Sequence, residues 1–263
     1  MNELKDKIAV IYGAGGAIGG AVARAFAREG ARLFLTGPRR APVEALARDI
    51  VSAGGNAEAA EVDALDEQAI DKHLQSVVAK AGRIDISFNA MGNSPTKWMG
   101  ASLVDIDLKQ FSMPLTSYIT SYFLTARLAA RYMLPNRSGV IMTVTAPPAR
   151  LGTQNGGYGP SQAAKEALTR YLSKELAPQG IRVVGLQPHG MPETETIREI
   201  FEIRAKAGGV TWEQFAGYLA GMNHPNRFLT LAEIANVAAF MASDKASGMM
   251  GTTVNVTMGA LDD

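Results

Sequence analysis

A turn of small residues, Gly13-Ala14-Gly15-Gly16, lies between an apolar run, Lys7–Tyr12, and a helical pattern opening Ala17-Ile18-Gly19-Gly20. Small side chains let a backbone come close to a phosphate. A helix start offers unpaired N–H groups and the positive end of a dipole to an anion. Glycine clusters also make plain turns. Position decides here, because this one follows the first strand and opens the first helix, so the segment reads as a seat for a nucleotide pyrophosphate. The second apolar strand ends in Thr36-Gly37-Pro38-Arg39-Arg40. A carboxylate at that point would bond the adenosine ribose hydroxyls, whereas an arginine suits a 2′-phosphate. No carboxylate is present, so the pattern points to NADP, with NAD possible, and with Arg39 or Arg40 on the phosphate. The plainer alternative is two solvated arginines that start a helix.

The elements that must hold these residues follow from periodicity. Strand-like runs are read at Lys7–Tyr12, Arg32–Thr36, Ala57–Val62, Ile84–Phe88, Val140–Thr145, Arg182–Leu186 and Thr253–Val256. Helical patterns lie between them, at Ala17–Glu29, Val43–Ser52, Asp66–Lys80, Ser102–Tyr132, Tyr158–Leu176, Glu193–Lys206, Trp212–Met222 and Leu231–Ser243. Pro114 is expected to break or kink the longest of these. Such alternation means a doubly wound parallel sheet with helices on both faces, an α/β Rossmann-type fold. With no linker or repeat visible, one domain over 1–263 is the simplest assignment, and ligands should bind beyond the carboxyl ends of its strands.

Composition narrows the function classes. The 263 residues carry 26 Lys+Arg against 25 Asp+Glu, which gives no basic excess for nucleic acid or an anionic membrane. There is no cysteine, so disulfides, thiol nucleophiles, iron–sulfur clusters and Cys-ligated zinc are excluded. The three histidines, His73, His189 and His224, lack metal-site spacing, so no metal is expected. No Gly-x-Ser-x-Gly nucleophile elbow occurs. The N-terminus shows no signal-peptide pattern and no apolar run is long enough to span a membrane, so a cytoplasmic protein is expected.

Over essentially its full length the chain resembles the short-chain dehydrogenase/reductase family, whose loop is Thr-Gly-x-x-x-Gly-x-Gly. Gly13 and Gly19 match it. Ala17 stands for the middle glycine and Tyr12 for the threonine, Gly15 eases the same turn, and Ile18 completes the loop. The resemblance implies that Asp63, after Glu61-Val62, touches the adenine ring. It also implies that Asn89, in Asn89-Ala90-Met91-Gly92, is the first residue of the family's Asn-Asn-Ala-Gly. After the sixth strand the family has Pro-Gly, whose backbone holds the nicotinamide carboxamide. Pro188 is kept, His189 replaces the glycine, and Thr194 stands where a threonine near the cofactor phosphate is expected.

Hydride transfer to a carbonyl needs a stabilised alkoxide and a proton donor suited to neutral pH. A phenol near pKa 10 is too weak an acid unless a cation lies beside it. The family therefore uses Ser, Tyr and a Lys four residues later, with an Asn from the preceding helix. Tyr158 matches the tyrosine, but the lysine position holds Gln162, which brings no charge. Lys165 lies two turns beyond Tyr158, about 10 Å along the helix axis. The serine falls on Thr145 by one count and on Ala146 by another. The asparagine falls on Tyr118 or Ser117. His189 is a further candidate proton donor if it faces the cleft.

The family places its substrate lid between the sixth strand and the last helix, here about residues 193–228. The aromatic and aliphatic residues of that stretch suggest an apolar cover, with Trp98 and Met99 lining the same pocket. The reading is an NADP-dependent oxidoreductase acting on a carbonyl or alcohol of a mostly apolar small molecule, within a homo-oligomer, a tetramer or dimer. A degenerate nucleotide-binding protein and a non-redox lyase or cyclase in the same cleft are the alternatives.

Overall fold

The computed structural model describes residues 2–93, 102–150, 152 and 155–262. Seven parallel strands form one sheet: β1 Ile8–Tyr12, β2 Arg32–Gly37, β3 Asn56–Glu61, β4 Ile86–Asn89, β5 Gly139–Val144, β6 Ile181–Pro188 and β7 Thr253–Val256. Their order is β3-β2-β1-β4-β5-β6-β7. The chain winds outward from β1 through β2 to β3, then crosses back to β4 and winds the other way. The winding reverses between β1 and β4, and a crevice opens there at the carboxyl ends of the strands.

Strand β1 shows why the sheet is central. All five of its residues are buried. Ala9 and Ile11 enter one apolar core, whereas Ile8, Val10 and Tyr12 enter the other. A strand with no polar face must be covered on both sides. Helices α1 (Ala17–Arg28), α2 (Arg40–Ser52) and α8 (Leu231–Ala242) cover the first face through Phe26, Leu46 and Ile234. Helices α3 (Glu67–Ala81), α4 (Leu108–Met133) and α5 (Tyr158–Leu176) cover the second through Leu74, Tyr122 and Leu168. Helices α6 (Glu195–Ala207) and α7 (Trp212–Gly221) pack on each other between β6 and α8.

The expected elements are all present, with shifted ends. Strand β4 begins two residues later than its apolar run suggests and reaches Asn89. Asp85, just before it, accepts a bond from the Ile8 amide through its carboxylate at 2.7 Å, which ties the strand entrance to β1. Helix α4 begins at Leu108, where the Asp107 carboxylate caps the Gln110 amide at 2.8 Å. Pro114 does not end it. The proline is buried within a continuous helix, in its second turn, and loses a backbone bond only there.

Candidate active site

The glycine turn is shaped first by its own backbone. Gly13 has φ +73, and a Cβ there would lie 2.7 Å from the Ala90 carbonyl oxygen. One on Gly19 would lie 2.4 Å from the Gly13 carbonyl oxygen. Both positions therefore exclude a side chain. Gly15, Gly16 and Ala17 are exposed, and Ile18 is half-buried. The α1 N-terminus has no side-chain cap and no acidic residue in its first turn, so its leading N–H groups are open to an anion. Tyr12, in place of the family threonine, is fully buried, and its hydroxyl has no partner among the described residues.

At the end of β2 the two arginines differ. Arg40 is paired with Glu44 at 2.6 Å, and its guanidinium lies also in the field of Glu61. Arg39 is the exposed N-cap residue of α2. Asp63 is exposed, and its carboxylate accepts from the Leu65 amide at 2.9 Å. Asn89 is buried, and its amide donates to the Ser121 and Thr125 hydroxyls, each at 2.9 Å, while its side-chain oxygen accepts from the Met91 amide. This asparagine clamps the end of β4 to α4. An uncapped helix start beside an open arginine fits the phosphates of a dinucleotide.

Tyr158 is the first residue of α5, half-buried at the sheet's carboxyl edge. Its ring meets Tyr118 edge-on, with 5.5 Å between centroids. Burial, with the Tyr118 phenol beside it, pushes the Tyr158 phenol above its ordinary value. Tyr118, at the asparagine position, accepts from the Asn93 amide at 3.1 Å. Ser117, the other candidate, accepts from the Asn93 side-chain amide at 2.7 Å. Gln162 is buried and donates to the Ser161 hydroxyl at 3.2 Å.

Among the described residues no hydrogen bond or ring contact joins Lys165 to Tyr158. The Lys165 ammonium donates to the Val144 carbonyl and sits 5.6 Å from the Tyr118 ring centre and 5.9 Å from that of Tyr122. Only 2% of the residue is exposed, and no carboxylate pairs with it among the described residues. Burial brings its pKa down to about 7. Thr145 turns its hydroxyl into the interior, where the Glu166 carboxylate and the Leu186 carbonyl lie 3.5 and 3.4 Å away. Those contacts are long for O–H···O bonds. The Glu166 carboxylate is held more firmly by the Gln187 amide at 2.6 Å, and burial raises its pKa.

At the end of β6, Pro188 is buried and paired in register with Val256. His189 follows it, half-buried, with Nδ1 2.9 Å from the Asn223 side-chain oxygen. Thr194 is the N-cap of α6. Its hydroxyl donates to the Met191 carbonyl at 2.9 Å and accepts from the Ile197 amide at 3.3 Å. An open cavity of about 540 Å³ is lined by Gly156 and Gly159 near the start of α5, together with Pro148, Asn155, Ser102 and Leu103; Tyr158 is not part of its lining. A second of similar size runs along the outer side of the glycine turn, between α1, α2 and α8. Trp98 and Met99 lie outside the described residues. No group of acidic or histidine side chains able to hold a metal, and no helix long and apolar enough to cross a membrane, occurs among the described residues.

A family model described as Enoyl-(Acyl carrier protein) reductase matches residues 13–260. The chain belongs to this family, within the short-chain dehydrogenases/reductases. Among its relatives is 7alpha-hydroxysteroid dehydrogenase of Escherichia coli, 28% identical, with 99% of this chain and 96% of that protein covered. Secoisolariciresinol dehydrogenase of Forsythia intermedia is 29% identical over 95% of this chain and 87% of its own. Among solved structures, NAD+-bound xylitol dehydrogenase superposes with a TM-score of 0.91 at 28% identity, covering 97% and 99% of the two chains. An actinorhodin polyketide ketoreductase variant with NADPH shares the fold, with a TM-score of 0.88 at 21% identity over 98% of each chain.

Set against the short-chain dehydrogenase/reductase pattern, sequence reasoning left out several partners that tertiary structure supplies. Asn93 bonds both Ser117 and Tyr118, Gln187 holds Glu166, and Asn223 holds His189. Asn93 and Asn223 each lie in a turn-rich stretch, where an asparagine reads as ordinary turn chemistry. The spacing gave no signal of their roles.

Proposed function

We propose that this protein is an NADP-dependent oxidoreductase, NAD being the possible alternative cofactor, that interconverts a carbonyl and an alcohol on a mostly apolar small molecule. The reading rests on the uncapped, glycine-lined start of α1 after β1 and on Tyr158 at the start of α5 after β5, both helix starts following the carboxyl ends of strands in one sheet. Family membership, the dehydrogenases and reductases among the relatives, and NAD+ and NADPH in the structural neighbours support it. The proposed cofactor residues are Gly13, Gly15, Ala17, Ile18 and Gly19 around the pyrophosphate, Asp63 at the adenine, and Asn89, Pro188 and Thr194 along the nicotinamide arm. Arg39 is the preferred partner of the 2′-phosphate because Arg40 is already engaged by Glu44.

A nicotinamide dinucleotide bound there supplies the hydride. The chain's own residues handle the proton and the geometry. Tyr158 is assigned the proton donation to the carbonyl oxygen as negative charge develops on it; with its phenol raised by burial and no cation beside it among the described residues, this step is expected to be slow. Gln162 holds Ser161, whose hydroxyl donates to the Tyr158 backbone carbonyl, without adding charge. Thr145 backs the site from below, since its hydroxyl faces Glu166 and β6. Asn89 fixes the end of β4 through its bonds to α4. Residues 193–228 form the cover, with Phe201, Phe215 and Phe228 in mutual ring contact as its apolar heart. Action in the cytoplasm and assembly as a dimer or tetramer belong to the same reading.

The test combines cofactor binding by calorimetry with turnover on a panel of apolar ketones and aldehydes, followed by loss of reduced-nicotinamide absorbance. Binding together with turnover that Tyr158→Phe lowers by about 100-fold or more supports the assignment. Turnover that survives Tyr158→Phe refutes the role given to the phenol. Tight binding with no turnover on any carbonyl favours the degenerate-site alternative, which the uncharged Gln162 would explain.

A further inference from the structure

Arg204 stands in the last turn of α6, within the stretch read as the cover. A base there suits the helix dipole, but the dipole does not account for where the side chain goes. The Arg204 Nη2 group donates to the Asn155 side-chain oxygen at 2.7 Å, across 49 residues of chain. Asn155 is only 7% exposed. Its backbone is held as well, because its carbonyl accepts from the Tyr158 amide at 3.0 Å. The guanidinium is therefore anchored to the turn that leads into Tyr158.

That anchor is neutral, so it leaves the charge unmatched. No carboxylate pairs with Arg204 among the described residues, and the remaining N–H donors of its fork have no partner there. Partial burial lowers the guanidinium's pKa and no neighbouring acid raises it, but an arginine stays cationic. One turn away along α6, Ile200, Phe201 and Gly208 are uncharged, and Glu202 is already paired with Arg198. The Arg204 side chain is still open to solvent, so a ligand can meet its free donors. Asn155 also lines the cavity of about 540 Å³ near the start of α5. The other walls of that cavity include Leu103, Pro148, Ala149, Pro160 and Ala163, and no lining residue is charged. Arg150, beside Ala149, is turned to the Asp262 backbone carbonyl. An apolar cavity with one cation a single hydrogen bond from its wall suits a molecule that is apolar along its length and anionic at one end. A guanidinium fork matches a carboxylate in shape and donor placement, and one unmatched positive charge calls for one negative charge.

Resting on the oxidoreductase reading above, we propose that the substrate is an oxo or hydroxy carboxylic acid: Arg204, held by Asn155, binds its carboxylate, the cavity beside α5 takes its apolar chain, and the carbonyl or alcohol lies at the end nearer Tyr158. Arg204 sets specificity in this arrangement and takes no part in the proton or hydride transfer.

The experiment compares kcat/KM for straight-chain oxo carboxylic acids, the carbonyl at the far end and the chain of increasing length, with kcat/KM for their methyl esters. The ester has the same shape without the charge. The wild-type protein should prefer the acid by about tenfold or more, as expected for a charge-assisted pair. Arg204→Gln should bring the ratio close to one by raising KM for the acid, with kcat and ester turnover nearly unchanged. Ester turnover also reports that the variant is folded. Lys206→Gln removes the same charge from the same helix turn and should keep the preference for the acid. Ester turnover with no acid preference in the wild type, a preference that survives Arg204→Gln, or an equal loss in Lys206→Gln overturns the proposal and leaves the oxidoreductase reading standing. If neither acid nor ester is turned over, calorimetry of the acids decides. Acid binding that Arg204→Gln weakens by about tenfold supports the anchor while the oxidoreductase reading fails. Binding that is absent, or unchanged in Arg204→Gln, overturns the anchor as well.

Discussion

Lys165 offers the sharpest stability prediction, because its burial conflicts with its charge. The side chain sits under two tyrosine rings, and among the described residues the Val144 carbonyl is its hydrogen-bond acceptor. Its pKa falls from 10.5 to about 7 on folding. Between those values the unfolded chain binds more protons than the folded one, so wild-type stability climbs as the pH rises. At about 1.4 kcal/mol per pKa unit, the charge costs the fold about 4 kcal/mol at neutral pH. Lys165→Met keeps the apolar stem and removes the ammonium. It also strips the Val144 carbonyl of a donor, a loss of about 1 kcal/mol. The variant should therefore be about 3 kcal/mol more stable than wild type at pH 7, and the gap should close by about that amount toward about pH 10. Urea unfolding of both proteins across that range measures it. The buried tyrosines titrate in both proteins and cancel in the difference. Two parallel stability curves, or a variant less stable at pH 7, would refute the argument that an unpaired buried ammonium opposes folding here.

Other outcomes follow from the same geometry. Gly19→Ala should destabilise the protein by about 2 kcal/mol or more, seen in the midpoint of thermal unfolding, because its methyl would press on the Gly13 carbonyl. Arg39→Ala should weaken NADPH binding by about tenfold and leave NADH binding nearly unchanged, whereas Arg40→Ala should spare both, since Glu44 already holds that side chain. Gln162→Lys should bring a cation toward the Tyr158 phenol, raise turnover and move the alkaline limb of the pH–rate profile to lower pH.

How much of this was legible in the chain differs from residue to residue. The glycine turn could be read because its requirements are local. Gly13 and Gly19 are close in sequence, and the collisions they avoid involve the turn itself and the strand end beside it. The order of strands and helices followed from apolar periodicity, which each segment carries alone, and the fully apolar Ile8–Tyr12 run announced a strand covered on both faces. Element ends were less legible. Asn89 joined β4 because it pairs in register with Tyr12 of β1 and Thr143 of β5, partners distant in the chain.

The sequence alone determined the fold class, the glycine turn that opens α1 and the candidacy of Tyr158. Tertiary structure decided what surrounds each of these. It turned Thr145 toward Glu166 and β6, drew Lys165 inward beneath Tyr118 and Tyr122, engaged Arg40 while leaving Arg39 open, and fixed the His189 ring through Asn223. Each of these except the Arg40–Glu44 pair depends on groups 21 to 47 residues apart in the chain. A side chain's protonation and direction are set by such neighbours, through burial and hydrogen bonding, and only the folded chain brings them together.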